Sequence, residues 1–222
     1  MIKRTETVFG SLFTVSGVIC AFRKKAVQGV GGWNPRALTD DVDLTLRIQA
    51  DGWSVAFQPN AICWILMPET FRGLWMQRVR WSEGGALAVF EVTKRIFSFK
   101  DRKLLAIWAN FFVSTIWAYM MLICLVLWIL TTFAHMRIMG LDPFPAWWGV
   151  VLSATYLLQA LIGLLLDSRY ERGVLKHIFW VIWYPIVFWF IQMICAVVGT
   201  FKALIRCNKL KGTWVSPDRG FR

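Results

Sequence analysis

Apolar and polar positions divide the chain into two parts. The first hundred residues mix charged, polar and apolar side chains, whereas the second half carries long apolar runs separated by short charged segments. Three of these runs, 104–133, 144–166 and 178–204, are long enough to cross a bilayer at 1.5 Å of helix rise per residue. The pattern therefore predicts about three transmembrane helices within 104–205, followed by a basic tail at 206–222.

Short alternating and apolar segments in the first part predict strands and a helix. Residues 8–22 are typical of a loop followed by a buried strand, with Gly17 at a close approach of the backbone to another group. A short helix is predicted over 23–30, and further strands at 53–57 and 61–67. Strands and helices in this order are typical of an α/β domain. Residues 1–69 are too few for a complete large α/β fold, so they are predicted to form only part of one.

A helix with an acidic first turn is predicted to follow Thr39, which is a good N-cap residue. Asp40, Asp41 and Asp43 occupy its first turn, where the helix dipole favours negative charge, and Gly52 ends it. Acidic first turns are common and by themselves require no chemistry.

Residues 70–103 are predicted to form amphipathic helices at the membrane interface, interrupted at Gly84-Gly85. Gln77, Arg80 and Trp81 have helical spacing and share one face. A guanidinium binds phosphate oxygens in a forked geometry, and an indole offers an apolar platform for a sugar ring. This face suggests a nucleotide-sugar site, although a short basic amphipathic helix beside a membrane span also serves as a plain anchor.

Composition and charge support a membrane protein. The 222 residues are 57% hydrophobic and include 14 Trp and 17 Phe. The net charge of +12 does not indicate nucleic-acid binding, because many basic residues flank the apolar runs, as membrane topology requires. Five scattered cysteines without a C-x-x-C spacing support neither a disulfide framework nor a zinc site.

Loop charges predict a topology. The loop 134–143 has one basic residue and fits the outer side, whereas 167–177 has three and fits the inside. Three full spans would place the tail outside, yet its basic residues favour the inside. A break or kink at Pro185 would resolve the conflict, and both possibilities stay open.

The order of two motifs resembles the processive family 2 glycosyltransferases, the group that includes cellulose, chitin and hyaluronan synthases. Those enzymes carry a Thr-Glu-Asp motif, then Q-x-x-R-W at the membrane surface, then several spans. Here Thr39-Asp40-Asp41 and Gln77-x-x-Arg80-Trp81 precede the spans, with Asp40 where the family usually has Glu. Within the family, the likeness to bacterial makers of an N-acetylglucosamine biofilm polysaccharide covers nearly the whole chain. Its most specific segments are 14–19, 63–70, 73–78 and 214–220.

The resemblance implies an α/β fold for 1–69, as the C-terminal part of a GT-A-like (Rossmann-like) domain, next to an α-helical membrane region. The earlier part of such a domain, with its D-x-D metal motif, is not recognisable in this sequence. The chain is therefore expected to be a fragment or a truncated form, inactive alone. Mg²⁺ or Mn²⁺ is the implied cofactor, bound mainly through that D-x-D motif, and no metal ligand is assigned within the chain.

The implied reaction is inverting transfer of N-acetylglucosamine from UDP-N-acetylglucosamine to a growing β-linked polysaccharide. Asp41 takes the place of the general base, with Asp40 as its catalytic neighbour. The resemblance assigns substrate, UDP and acceptor binding to Gln77, Arg80, Trp81, Ser16, Gly17 and Thr39.

The implied setting is the bacterial inner (plasma) membrane, in a multi-pass protein with a cytoplasmic catalytic part. A lipid bilayer, the growing polysaccharide and, by resemblance, a small membrane subunit and cyclic di-GMP are the expected partners; nucleic acid is not. A related chitin-, hyaluronan- or cellulose-type synthase, or a transferase with a lipid-linked acceptor, is the nearest alternative. A non-catalytic subunit or transporter is the alternative of another class, disfavoured because the apolar runs hold few polar residues.

Overall fold

A computed structural model of the chain describes residues 2–8, 12–96, 104–134, 147–171 and 173–206. Its seven named α-helices in these ranges are Ile2–Val8 (α1), Lys24–Gly29 (α2), Asp40–Ala50 (α3), Phe71–Ile96 (α4), Leu105–Phe133 (α5), Trp147–Asp167 (α6) and Ile178–Arg206 (α7). A 3-10 turn, Val174–His177, precedes α7. Contacts divide the chain into a first unit, Met1–Ala118 with Cys195–Arg222, and a second unit, Tyr119–Ile194.

Helix α3 lies at the centre of the first unit. Its Leu44 and Ile48 pack with Ala26 of α2, while a second face packs on α4 and the start of α5. Apolar positions four residues apart form each face, as a buried helix requires. The second cluster consists of Val42, Leu46, Ala50, Ala88, Val89, Val92, Leu104 and Ile107. Burial of each large aliphatic side chain contributes about 1.5–3 kcal/mol, so α3 is firmly held.

The bounds of α2 and α3 confirm the predicted starts and stops. Gly31 and Gly32, with φ of 81° and 77°, follow α2, and Gly52, with φ of 90°, follows α3. Glycine adopts this left-handed conformation without steric cost. Thr39 takes the predicted N-cap position, but its hydroxyl makes no capping hydrogen bond within the part of the chain that the structure describes.

The predicted strands are wrong for the described residues. Segments 53–57 and 61–67 are non-helical but belong to no named strand, and residues 12–22 contribute a single isolated bridge, Ser16 to Ile19. A strand is defined by hydrogen bonds to a neighbouring strand, and neither segment has such a partner in the described ranges. The apolar side chains of 61–67 are consequently exposed, Trp64 to 76%. The α/β sheet of a Rossmann-like domain is therefore not confirmed.

The predicted interruption at Gly84-Gly85 is also wrong, because α4 runs without a break from Phe71 to Ile96. A Cβ at Gly84 would lie 2.5 Å from the Thr39 Oγ1. Glycine at this position thus allows α3 and α4 to approach, and tertiary packing outweighs its low helix propensity of roughly 1 kcal/mol.

Two helical stretches are long and apolar enough to cross a membrane, judged by length and composition within the described residues: Leu105–Phe133 and Val187–Arg206. The middle predicted run coincides with α6, within which the described residues include a shorter apolar stretch, Ser153–Asp167. Two of the three predicted spans thus have candidate helices by this criterion, and the third is not confirmed. The last part of the predicted interfacial region, 97–103, most of the loop at 134–143 and the tail at 207–222 lie outside the described residues.

In the second unit, α7 continues through Pro185 without a break. Proline has no N–H, so the carbonyl of Val181, four residues earlier, lacks its helical donor. The Tyr156 hydroxyl of α6 donates a hydrogen bond to that carbonyl at 2.9 Å, and the Tyr156 ring meets Trp189 edge-on at 5.6 Å between centroids. The neighbouring helix thus satisfies the group that proline leaves without a donor.

Candidate active site

The Asp41 carboxylate lies in the first turn of α3 and accepts two backbone hydrogen bonds. Gly17 N–H donates to Oδ2 at 3.2 Å, and Val42 N–H donates to Oδ1 at 3.0 Å. The positive end of the helix dipole favours the negative charge there. Each carboxylate oxygen has two lone pairs. With these two contacts made, Asp41 has the capacity to accept a further proton donor.

Gly17 lies close to Asp41, in agreement with the predicted close approach of the backbone at Gly17. A Cβ at Gly17 would lie 3.1 Å from Asp41 Oδ2, tighter than side chains normally pack. A tight turn presents this glycine, because Ile19 N–H donates to the Ser16 carbonyl at 3.1 Å. Ser16 therefore shapes the turn through its backbone, and Gly17 provides the N–H that holds the carboxylate.

A polar stripe on α3 fixes the segment that leads into this turn. Gln49 accepts from Leu12 N–H at 2.7 Å and donates to the Leu12 carbonyl at 2.6 Å. Thr45 accepts from Val15 N–H at 3.3 Å and donates to the Asp41 carbonyl at 2.6 Å. Sequence reasoning missed both residues. Asp41, Thr45 and Gln49 follow each other at intervals of four along α3, and this spacing is the signal that predicts a shared polar face.

Asp40 and Cys20 lie beside this carboxylate. Asp40 is exposed, and its Oδ1 accepts from Asp41 N–H at 3.1 Å. Burial first, then the negative charges of Asp41 and Asp40, raise the pKa of the Cys20 thiol above its usual value. The thiol is therefore close enough to sense both charges, a position that the cysteine pattern did not indicate.

Asp43 has a structural role. Arg47 Nη2 lies 2.7 Å from its Oδ2, and the pair is largely buried. Arg47 also donates to the carbonyls of Val30 at 2.7 Å and Gly32 at 2.9 Å. The pair thus ties the loop after α2 to α3, and of the three acids only Asp40 and Asp41 are available for chemistry.

Helix α4 docks on the turn that precedes Asp41. Arg80 Nη1 donates to the Leu38 carbonyl at 3.1 Å, and Gly84 lies against the Thr39 side chain. Thr39 is 5% exposed, and its hydroxyl has no hydrogen-bond partner among the described residues. The two motifs predicted from sequence, 36 positions apart, therefore meet at Leu38–Thr39.

Gln77 and Trp81 differ in exposure, although they share a face of α4 with Arg80. Gln77 is buried, and its Oε1 finds no partner within the described ranges. Trp81 is 42% exposed, and the Arg78 guanidinium lies 4.6 Å from the centroid of its ring. This cation–π contact covers one face of the indole. Only the opposite face is available as a platform for a sugar.

The described residues do not form a metal centre. No three of their His, Cys, Asp and Glu side chains converge in the way a bound cation needs.

Comparison with known sequences identifies the family to which this chain belongs. Residues 1–192 match the family described as "Glycosyl transferase family group 2". The chain belongs to this glycosyltransferase family. The match includes both the acidic turn of α3 and the QRVRW segment of α4, so the two motifs that meet in the structure lie inside the family's domain.

Two relatives carry a specific name. The poly-beta-1,6-N-acetyl-D-glucosamine synthase of Staphylococcus aureus (strain COL) is 36% identical over 225 residues, covering 99% of this chain and 54% of the relative. The enzyme of that name from Staphylococcus epidermidis (strain ATCC 35984) is 32% identical over 229 residues, with the same two shares covered. The chain thus spans about half the length of these curated relatives. No solved structure matches it.

Proposed function

We propose that this chain forms the acceptor-side part of an inverting glycosyltransferase that adds N-acetylglucosamine from UDP-N-acetylglucosamine to a growing β-linked polysaccharide. The supporting observation is the junction of the two motifs: Asp41 is oriented by Gly17 N–H, and Arg80 contacts the backbone two residues before the Asp40-Asp41 pair. The names of the staphylococcal relatives support the sugar and the β-1,6 linkage.

Asp41 acts as the general base in this proposal. An acceptor hydroxyl attacks C1 of the donor sugar, and its proton passes to the Asp41 carboxylate as the new C1–O bond forms. The bond from C1 to the phosphate oxygen breaks at the same time, and UDP leaves with the electron pair from the opposite face. Asp40 adds negative charge beside the base, and the Gly17 contact holds the carboxylate in one orientation.

The α4 residues bind and orient. The positive charge of Arg80 favours the diphosphate as it gains negative charge. Gln77 Oε1 and Thr39 Oγ1, buried polar atoms, are proposed to meet sugar or nucleotide hydroxyls, since such atoms normally find a partner. The face of Trp81 opposite Arg78 supports the acceptor sugar, which fixes the attacking hydroxyl. Mg²⁺ or Mn²⁺ is proposed to bind through residues outside this set.

The membrane setting completes the proposal. The two apolar helices suit a multi-pass protein of the bacterial inner membrane, with Asp41 on the cytoplasmic side where UDP-sugars are made. The spans contribute to the route by which the polymer leaves. A small membrane subunit and cyclic di-GMP remain proposed partners.

The test uses the full-length enzyme that contains this chain, in membranes supplied with radiolabelled UDP-N-acetylglucosamine and Mg²⁺. We expect polymer that a β-1,6-specific hexosaminidase degrades and chitinase does not. Asp41→Asn keeps the shape of the side chain and removes the proton acceptor, so the rate should fall by about 10² to 10⁴. The control is Asp51→Asn, an exposed acid just after α3.

Other outcomes separate the alternatives. Product degraded by chitinase, or labelled lipid without polymer, would replace the β-1,6 polymer with a chitin-type or lipid-linked product. Equal activity in Asp41→Asn and Asp51→Asn would refute Asp41 as the base. No incorporation by the full-length wild type would favour a non-catalytic subunit.

A further inference from the structure

The C-terminal part of α7 crosses α4 immediately after the QRVRW segment. A Cβ at Gly199 would lie 2.5 Å from the Ser82 Cβ and 2.8 Å from the Glu83 backbone N. Cys195, Gly199 and Ala203 follow each other at a spacing of four and are all buried. Small residues on one face allow two helices to approach closely. At this crossing, α7 therefore packs directly on the backbone of α4.

An ion pair forms the second contact between the two helices. Arg206 Nη1 lies 3.1 Å from Glu83 Oε1, and the Glu83 side chain is only 6% exposed. A buried carboxylate is costly unless a cation or hydrogen-bond donor compensates it. Arg206, in the last turn of α7, supplies that compensation. It joins the end of the helix to the residue three positions after Arg80.

These contacts lie on a different side of α4 from most of the candidate active site. At about 100° per residue, Ser82 is roughly 140–160° from Gln77 and Gly84, whereas Glu83 is roughly 100° from Gly84 and 60° from Arg80. Gly84 and Arg80 contact the turn before α3, whereas Ser82 and Glu83 contact α7. Helix α4 is thus held from both sides. We therefore expect that loss of the α7 contact shifts the face of α4 that meets α3.

We propose that Glu83 and Arg206 are positioning residues for the acceptor site: by fixing α4 against α7, they set where Arg80 and Trp81 stand relative to Asp41. The inference rests on the proposed glycosyl transfer. Neither side chain is required to touch substrate. Their effect passes through α4 to the residues that do.

The experiment compares polymer synthesis with hydrolysis of UDP-N-acetylglucosamine in the full-length enzyme. Glu83→Gln removes the charge and keeps the shape, and Arg206→Gln removes the partner at an exposed position. For both we expect the kcat of transfer to fall roughly ten- to a hundredfold, the scale of a misplacement of about 1 Å. The KM for the donor should stay the same. A larger share of the released UDP should come from hydrolysis of the donor and a smaller share from transfer, because the donor still binds while the acceptor is misplaced.

Further variants test the coupling. The double variant Glu83→Gln/Arg206→Gln should be no slower than either single variant, and Arg206→Lys should keep most of the rate. Gly199→Ala should reproduce the change in product partition without any change in charge, because its Cβ would meet Ser82. The matched controls are Glu91→Gln and Lys202→Gln, exposed charges on the same two helices, and Gly163→Ala, where a Cβ would meet nothing within 4 Å.

Two results would overturn the inference alone. One is an active wild type whose Glu83→Gln and Arg206→Gln variants lose transfer and hydrolysis in equal proportion, because a merely structural role has that effect. The other is a double variant that loses the product of the two single losses, which shows independent residues. A wild type without polymer activity would overturn the proposed function, and this inference with it.

Discussion

Gly84→Ala tests whether the close approach of α4 to α3 sets both stability and activity. The new Cβ would lie 2.5 Å from Thr39 Oγ1, 2.6 Å from Cγ2 and 3.0 Å from Cβ. Comfortable carbon contacts are about 3.5–4.0 Å, so the helices must separate by about 1 Å or distort. Such a shift takes the Arg80 to Leu38 hydrogen bond, 3.1 Å in the structure, beyond bonding distance.

The size of the effect follows from two opposing terms. Overpacking a well-filled contact costs about 1–3 kcal/mol. Replacing a mid-helix glycine with alanine gains up to about 1 kcal/mol. The net change for Gly84→Ala is therefore a loss of about 0–3 kcal/mol in the free energy of unfolding. The rate of polymer synthesis should fall much further, by as much as about a hundredfold, because the motifs no longer meet correctly.

Gly85→Ala is the matched control. Its Cβ would have Phe13 Cζ as nearest neighbour at 3.7 Å, an ordinary contact. It should gain up to about 1 kcal/mol of stability and keep its activity. The assays are thermal unfolding in detergent and incorporation of labelled N-acetylglucosamine in membranes. Thr39→Ala in the Gly84→Ala background should restore part of the melting temperature. Equal melting temperatures and rates for the two glycine variants would refute the steric explanation.

Four more predictions follow from single contacts. Trp81→Ala should lower polymer synthesis about tenfold or more, on the order of 1–2 kcal/mol of lost stacking, while Trp81→Phe stays near normal; a near-normal rate for the alanine variant would make Trp81 a mere anchor. With Cys20 as the only cysteine, Asp41→Asn should speed its alkylation at pH 8, because loss of a negative charge lowers the raised thiol pKa and increases the thiolate fraction; an unchanged rate would contradict the proximity. Tyr156→Phe should cost about 1–3 kcal/mol in thermal unfolding, because the Val181 carbonyl loses its donor; a melting temperature equal to wild type would show that the bond contributes nothing. Ser168→Cys should resist an impermeant thiol reagent in intact cells, since its loop is predicted to be cytoplasmic; labelling would reverse the topology.

Local signals predicted the elements around the site better than they predicted the contacts. The acidic first turn, Gly52 and the close approach at Gly17 follow from residue type and spacing, and the structure has all three. The pairing of Asp43 with Arg47 also had a local signal, their spacing of four, which indicates an ion pair on one helix face.

Contacts between distant segments had no such signal. The Arg80 hydrogen bond to Leu38 joins residues 42 positions apart, and no periodicity encodes it. The prediction at Gly84-Gly85 failed because helix propensity is weaker than the packing of Thr39 against α4. The prediction of strands at 53–57 and 61–67 failed because an alternating or apolar pattern indicates only that a segment suits a sheet. A strand also needs a neighbouring strand with which to form hydrogen bonds.

Main-chain atoms hold Asp41 and Arg80 in the candidate site. One donor to Asp41 is the N–H of Gly17, and an acceptor for Arg80 is the carbonyl of Leu38. Substitution of a side chain cannot delete either group, apart from proline at position 17. In a saturation-mutagenesis screen, we therefore expect position 17 to tolerate only small residues and position 38 to tolerate only apolar residues. Such a screen would not reveal the backbone hydrogen bond at either position. The sequence motifs therefore include Asp41 and Arg80 but omit Gly17 and Leu38, whose backbone atoms contact them.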